Sequence, residues 1–144
     1  MPSTFDDFGV HFLYPDNWQI QARDADDECE SVTLEMPNGG FFSVTKYRHS
    51  PAIQDVLEGI ASAMKSEYPE AEIEETEDDD ADIMEMRFYY LDLLIIARVT
   101  AMVLAKQTVV VQVQAESRAF DAGEPVFNAM LKSIRDGMTG PAKS

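Results

Sequence analysis

The sequence is poor in the residues that most often carry chemistry. It has one cysteine, Cys29, and two histidines, His11 and His49. A single cysteine excludes an internal disulfide and fits a reducing compartment. Neither histidine has a His or Cys nearby at ligand spacing, so no zinc site is expected. There is no Gly-x-Ser-x-Gly elbow, no Cys-x-x-Cys pair and no glycine loop leading into a helix to cradle phosphate. Basic residues are also scarce: 11 Lys and Arg stand against 27 Asp and Glu, for a net charge of −16. That balance excludes a general nucleic-acid binder, which needs clustered cations. No apolar run approaches the ~20 residues of a membrane-spanning helix, so no membrane insertion is expected. The first basic residue is Arg23, and no apolar segment follows the N-terminus as a secretory leader would require. The expectation is a cytoplasmic protein.

What is present is a well-patterned core. Apolar residues make up 45% of the 144, enough for one domain spanning 1–144. Phe8, Val10, Phe12 and Tyr14 alternate, as do Trp18, Ile20 and Ala22 across the Pro15-Asp16-Asn17 turn signal. The two runs read as a hairpin with one wet face. Val32, Leu34 and Met36 give a third strand, and Phe41 to Arg48 a fourth after the Pro37-Asn38-Gly39-Gly40 turn. Ser50-Pro51 has the chemistry of a helix start. The stripe Ile53, Val56, Leu57, Ile60, Ala61 and Met64 gives that helix one apolar face, and it should end before Pro69. Ala71 to Glu77 could pair as an edge strand. Three strong strands follow, around Met84–Tyr90, Leu93–Val103 and Val109–Glu116, with turns short enough only for antiparallel neighbours. Asp121-Ala-Gly-Glu124 resembles a capping box. It predicts a second helix with Val126, Phe127, Met130, Leu131 and Ile134 on one stripe. From about residue 137 the tail should fray. The fold class is therefore α+β: an antiparallel sheet of about seven or eight strands packed with two amphipathic helices.

Two motifs within this pattern carry a resemblance. Phe12-Leu-Tyr-Pro-Asp-Asn-Trp18 resembles the opening hairpin of the PsbP-like superfamily, and Val126-Phe127-Asn-Ala-Met-Leu131-Lys-Ser133-Ile134 resembles its closing helix. The order of elements between them agrees, so the likeness spans roughly residues 5–136. The superfamily is an α/β/α sandwich shared by photosystem extrinsic subunits, a nuclear-transport Ran-binding protein and bacterial DcrB-type proteins. It implies a protein that binds other proteins rather than an enzyme. It transfers no functional residue, because the matched positions suit packing. Trp18, beside a turn, should cover the end of the core.

The acidic stretch Glu70–Asp82 is the most conspicuous candidate site. Asp78, Asp80 and Asp82 have the opening spacing of a calcium loop. Ile83 stands where glycine is needed, and Tyr89 stands where the closing acid is needed, so an EF-hand is excluded. A solvated acidic face that docks a basic partner asks for less geometry. Its residues would be Glu74, Glu75, Glu77, Asp78, Asp79 and Asp80, joined by Asp26 and Asp27 if the two loops meet at one end of the sheet. Cys29 lies among carboxylates, which disfavour its thiolate. Arg87, Tyr89 and Arg98 share a strand face and form the alternative site, a floor for an acidic or aromatic ligand. The methionines Met84, Met86, Met102 and Met130 read as core filling, or, if exposed, as a groove for partner helices.

The leading expectation is a non-enzymatic interaction module with no cofactor, docking a basic protein through an acidic surface. The alternative is a binder of a small ligand or divalent cation. An enzyme would need His49 in a cleft beside a carboxylate. A purely structural subunit would expose a large apolar patch.

Overall fold

The computed structural model describes residues 2–49, 51–77 and 81–139. Their elements, in order, are β1 (Ser3–Asp7), β2 (Val10–Tyr14), β3 (Gln19–Ala25), β4 (Cys29–Glu35), β5 (Phe41–Tyr47), α1 (Ile53–Glu67), β6 (Glu72–Glu77), β7 (Asp82–Tyr90), β8 (Leu93–Leu104), β9 (Gln107–Glu116) and α2 (Ser117–Thr139). The strands from β3 onward form one antiparallel seven-stranded sheet in the order β3-β4-β5-β9-β8-β7-β6, while β1 and β2 form a separate hairpin.

The alternation within β8 and β9 explains the layering. Both strands bury side chains on both faces, so each face needs a cover. On one face Met84, Met86, Phe88, Ala97, Val99, Ala101 and Val110 pack under α1, whose stripe centres on fully buried Leu57. On the other, Ile96, Met102, Val109, Val111 and Val113 pack under α2 and the β1–β2 hairpin, together with Phe12, Trp18, Phe42 and Phe127. The result is the α+β sandwich that the periodicity predicts. Trp18 is 9% exposed and lies against both Phe42 and Phe127, so it covers the core as expected. Met84, Met86 and Met102 are fully buried and Met130 is 3% exposed, which removes these four from any exposed methionine groove.

Several local expectations are corrected. The Pro15–Trp18 turn exists, closed by a 3.1 Å bond from Trp18 N to Pro15 O. The strands beside it do not pair, however. β2 pairs with β1 and β3 pairs with β4. The actual hairpin turn is Phe8-Gly9, both with positive φ. β1 has Phe5 as its one buried residue, too weak an alternation to read in advance.

Helix α1 starts at Ile53, after Ala52, and has no side-chain cap. Ser50 lies outside the described residues. Pro51 is drawn to the sheet instead, its carbonyl accepting a 2.8 Å bond from Thr108 Oγ1. Helix α2 starts at Ser117, directly after β9, so Asp121–Glu124 is helix interior rather than a cap, and Pro125 lies inside the helix. Burial of Phe120 against Phe127 anchors that early first turn.

The helix also runs past the expected fraying point to Thr139. Gly137 makes this end fit: a methyl group there would lie 2.5 Å from the His11 carbonyl oxygen, so only glycine lets α2 lie on β2. Ser133 ties the same two elements, its Oγ accepting a 3.0 Å bond from Leu13 N.

Candidate functional site

Sheet topology decides how the two acidic segments relate. Glu77, Asp82, Ala101, Val110, Thr45, Ser31 and Asp24 lie on one line across the sheet. The Asp24–Asp27 segment and the end of β6 therefore sit at the same end of the molecule. They are nonetheless at opposite edges, β3 and β6 being six strand positions apart. At ~4.8 Å per strand that is about 29 Å, more than three Debye lengths at physiological salt. Asp26 and Asp27 thus do not join the β6 carboxylates in one patch.

Asp26 also has a local task. Its Oδ1 accepts bonds from Glu28 N (2.7 Å) and Cys29 N (2.9 Å), which closes the β3–β4 turn. These two backbone donors hold its carboxyl below the usual carboxylate value. Partial burial, followed by the Asp26 and Glu28 charges, pushes the neighbouring Cys29 thiol up, as the sequence suggests.

The β6 edge behaves differently. Among the described residues it has β7 on one side and no strand on the other. Glu72, Glu74, Glu75 and Glu77 are all exposed. The alternation of β6 puts Glu72 and Glu74 on one face and Glu75 and Glu77 on the other. None is in an ion pair with a described residue. Asp78, Asp79 and Asp80 lie outside the described residues.

Arg87, Tyr89 and Arg98 lie on one sheet face, and Glu85 bridges the two arginines. Arg98 is occupied: its Nε and Nη2 donate to Glu85 Oε2 at 3.0 and 2.9 Å, and Nη2 also donates to Glu124 Oε2 at 2.8 Å. Its guanidinium lies over the Phe120 ring, 4.9 Å from the centroid. Burial works against this charge, but the bonds to Glu124 and Glu85 outweigh it and hold the guanidinium above its ordinary value. An arginine clamped by two carboxylates is a poor anion receptor. Arg87 bonds to Glu85 Oε1 at 3.1 Å. With Tyr89 it borders a different feature, a groove of about 580 Å³ where α1 leads into β6.

That groove arises from unequal strand lengths. β6 begins at Glu72, opposite Arg87, while β7 continues through Tyr90 with only β8 beside it. Residues 88–90 therefore have a strand partner on one side only. The chain between α1 and β6 borders this gap. Tyr68 stacks on Phe88 with ring centroids 4.2 Å apart, and Lys65 Nζ donates to Ala71 O at 2.8 Å. Glu67, Glu70 and Glu72 rim the opening, and Leu94 and Tyr89 close its other wall.

Beyond it the β7–β8 turn exposes four large apolar residues: Tyr89 at 70%, Tyr90 at 52%, Leu91 at 78% and Leu93 at 51%. Leu91 (φ 51) and Asp92 (φ 65) occupy the left-handed region, which costs a leucine about 1–2 kcal/mol. Of this group the sequence reading singled out Tyr89 alone. The available signal was apolar side chains on both sides of a two-residue turn, where polar residues are usual.

The histidines stay apart from these features. His11 is exposed, with Nδ1 3.8 Å from Asp6 Oδ2. His49 borders a second groove with Glu28, Tyr47 and Asp55, but it has no hydrogen-bond or ion-pair partner among the described residues. Among those residues no three His, Cys, Asp or Glu side chains group to hold a metal ion. No helix among them is long and apolar enough to cross a membrane.

No family model and no curated protein matches the sequence. The fold, in contrast, matches solved structures over nearly its whole length. The cyanobacterial PsbP protein CyanoP of Synechocystis superposes with a TM-score of 0.58 at 17% identity, covering 92% of this chain and 90% of its own. PA94 of Pseudomonas aeruginosa, a protein of unknown function, superposes with a TM-score of 0.55 at 10% identity, covering 92% and 94%. The chain has the PsbP-like fold, as its opening and closing motifs imply.

Proposed function

We propose that this protein is a non-enzymatic interaction module that docks a basic protein partner on the acidic β6 edge of its sheet. The observation that carries this reading is the edge itself: a strand at the sheet edge with exposed glutamates on both faces, none in an ion pair with a described residue. Carboxylates on an edge oppose pairing with a second copy of the same edge. They favour a cationic partner, and the −16 net charge attracts such a partner from a distance. The same charge repels nucleic acid and anionic lipid surfaces. The pairing of Arg87 with Glu85, and of Arg98 with Glu85 and Glu124, favours this reading over an anionic small ligand on that face.

The test is a pull-down at low and high salt. It compares the wild type with a variant carrying Gln at Glu74, Glu75 and Glu77 and Asn at Asp78, Asp79 and Asp80. A partner retained by the wild type at low salt, and lost both at high salt and with the variant, is the expected result. A partner whose retention ignores salt and the variant would refute acidic docking.

A further inference from the structure

Resting on that reading, we propose that the groove between the α1–β6 connection and the free edge of β7 residues 88–90 receives an extended, basic segment of the partner as an added strand. Two observations meet there. The first is backbone: β7 outruns β6, so residues 88–90 offer main-chain groups with no strand on that side. Added strands gain affinity from such groups and specificity from the pockets beside them. The second is side-chain chemistry. The rim holds Glu67, Glu70 and Glu72, while Arg87, the one cation lining the groove, already bonds to Glu85. A Lys or Arg side chain entering the groove meets three carboxylates, while the cations beside it are already bonded, Arg87 to Glu85 and Lys65 to the Ala71 carbonyl.

The apolar part of the site defines the rest of the segment. Tyr90 and Leu93 are paired on one face, 52% and 51% exposed, with Leu91 at the turn beside them, while Tyr89 lies on the other face with Glu72 and Arg87. Apolar side chains scattered singly on a surface need no explanation, whereas a contiguous group marks a contact site. A strand presents alternate residues to opposite faces. A segment alternating basic with aliphatic or aromatic residues would therefore place cations on the face of Glu72 and apolar side chains on the opposite face, beside Tyr90 and Leu93. An acidic or purely hydrophilic segment would satisfy only part of this surface.

Three synthetic ten-residue peptides test the proposal: alternating Lys and Val, alternating Lys and Gly, and alternating Glu and Val. Binding is read by fluorescence anisotropy, and strand addition by amide hydrogen exchange within 88–90. The Lys–Val peptide should bind at least tenfold more tightly than the Lys–Gly peptide and slow exchange within 88–90, and the Glu–Val peptide should not bind. Variant Y90S/L93S should abolish the tenfold preference while keeping the weaker Lys–Gly binding. Variant E67Q/E70Q/E72Q should weaken both basic peptides.

Equal binding of the two basic peptides, with no protection at 88–90, overturns the groove while leaving acidic docking in place. Failure of both to bind the wild type overturns acidic docking as well. Binding of the Glu–Val peptide would show an apolar cleft without charge selection and overturn the proposal. So would a concentration-dependent dimer that Y90S/L93S dissolves, because the surface would then belong to a second copy.

Discussion

Tyr68 stacks on Phe88 with ring planes 27° from parallel, and this contact pins the chain leaving α1 to the unpaired end of β7. The stack makes the groove a formed feature of the fold. An aromatic pair contributes ~0.5–1.5 kcal/mol beyond its buried area. Tyr68→Leu keeps much of that area and removes the stack. It should lower unfolding free energy by about 1 kcal/mol in urea titration, and it should speed amide exchange around 68–71 more than elsewhere.

The Arg98 cluster should be more sensitive. Arg98 and Glu85 are 24% and 21% exposed, so their pairing lies between surface and core behaviour. Exposed pairs contribute up to ~1 kcal/mol, and breaking a buried pair costs ~3–5 kcal/mol. Arg98→Met should cost about 2 kcal/mol, because Glu85 is left partly desolvated. Glu124→Gln should cost under about 1 kcal/mol. The double variant R98M/E85Q should recover part of the loss, and urea midpoints of the wild type, R98M, E85Q and R98M/E85Q would check the coupling.

The β7–β8 turn offers a gain. Leu91 and Asp92 both have positive φ, and Asn-Gly suits such a two-residue turn. The variant L91N/D92G should raise stability by about 1 kcal/mol, roughly 3 °C in melting temperature for a chain of this size. If the exposed turn contacts a partner, the same variant should bind the Lys–Val peptide more weakly. Calorimetry and anisotropy on one preparation would read both effects.

Asp26 should confer a pH dependence of known sign. Two backbone N–H donors lower its folded-state value below the ordinary 3.8. A depressed carboxylate stabilises the fold above its unfolded value, and that contribution is lost as pH falls through the folded value. Asp26→Ala should therefore melt below the wild type at pH 7, and the gap should close as pH drops below 3.8. A gap that stays constant down to pH 2 would mean the carboxylate charge is irrelevant to the turn.

Much of the architecture was legible because burial leaves a periodic trace. The alternating valines of β9, the stripe of α1 and the short turns around β8 identify antiparallel strands and amphipathic helices without reference to any other structure. Element starts were less legible. Asp121 and Glu124 mimic a cap, but burial of Phe120 starts α2 at Ser117, and Glu124 bonds to Arg98 instead. The hairpin partner of β2 was misread for a similar reason. A turn signal at Pro15 says that the chain reverses, not which strand lies beside it.

The candidate site divides along the same line. The exposed carboxylates of Glu74, Glu75 and Glu77 were expected from charge alone, since like charges cannot pack together. Whether Asp26 and Asp27 join them depended on strand order, which places them at the far edge. Whether Arg98 is available depended on helix α2 arriving with Glu124.

The sequence by itself determined the composition of each layer, because hydrophobic burial acts on every residue wherever it lies in the chain. It also determined the acidic character of the surface, which needs no contact to exist. Tertiary structure alone decided which strands are edges, that β7 outruns β6, and that apolar side chains remain exposed beside the gap. Those are facts about residues distant in sequence meeting, or failing to meet, in space.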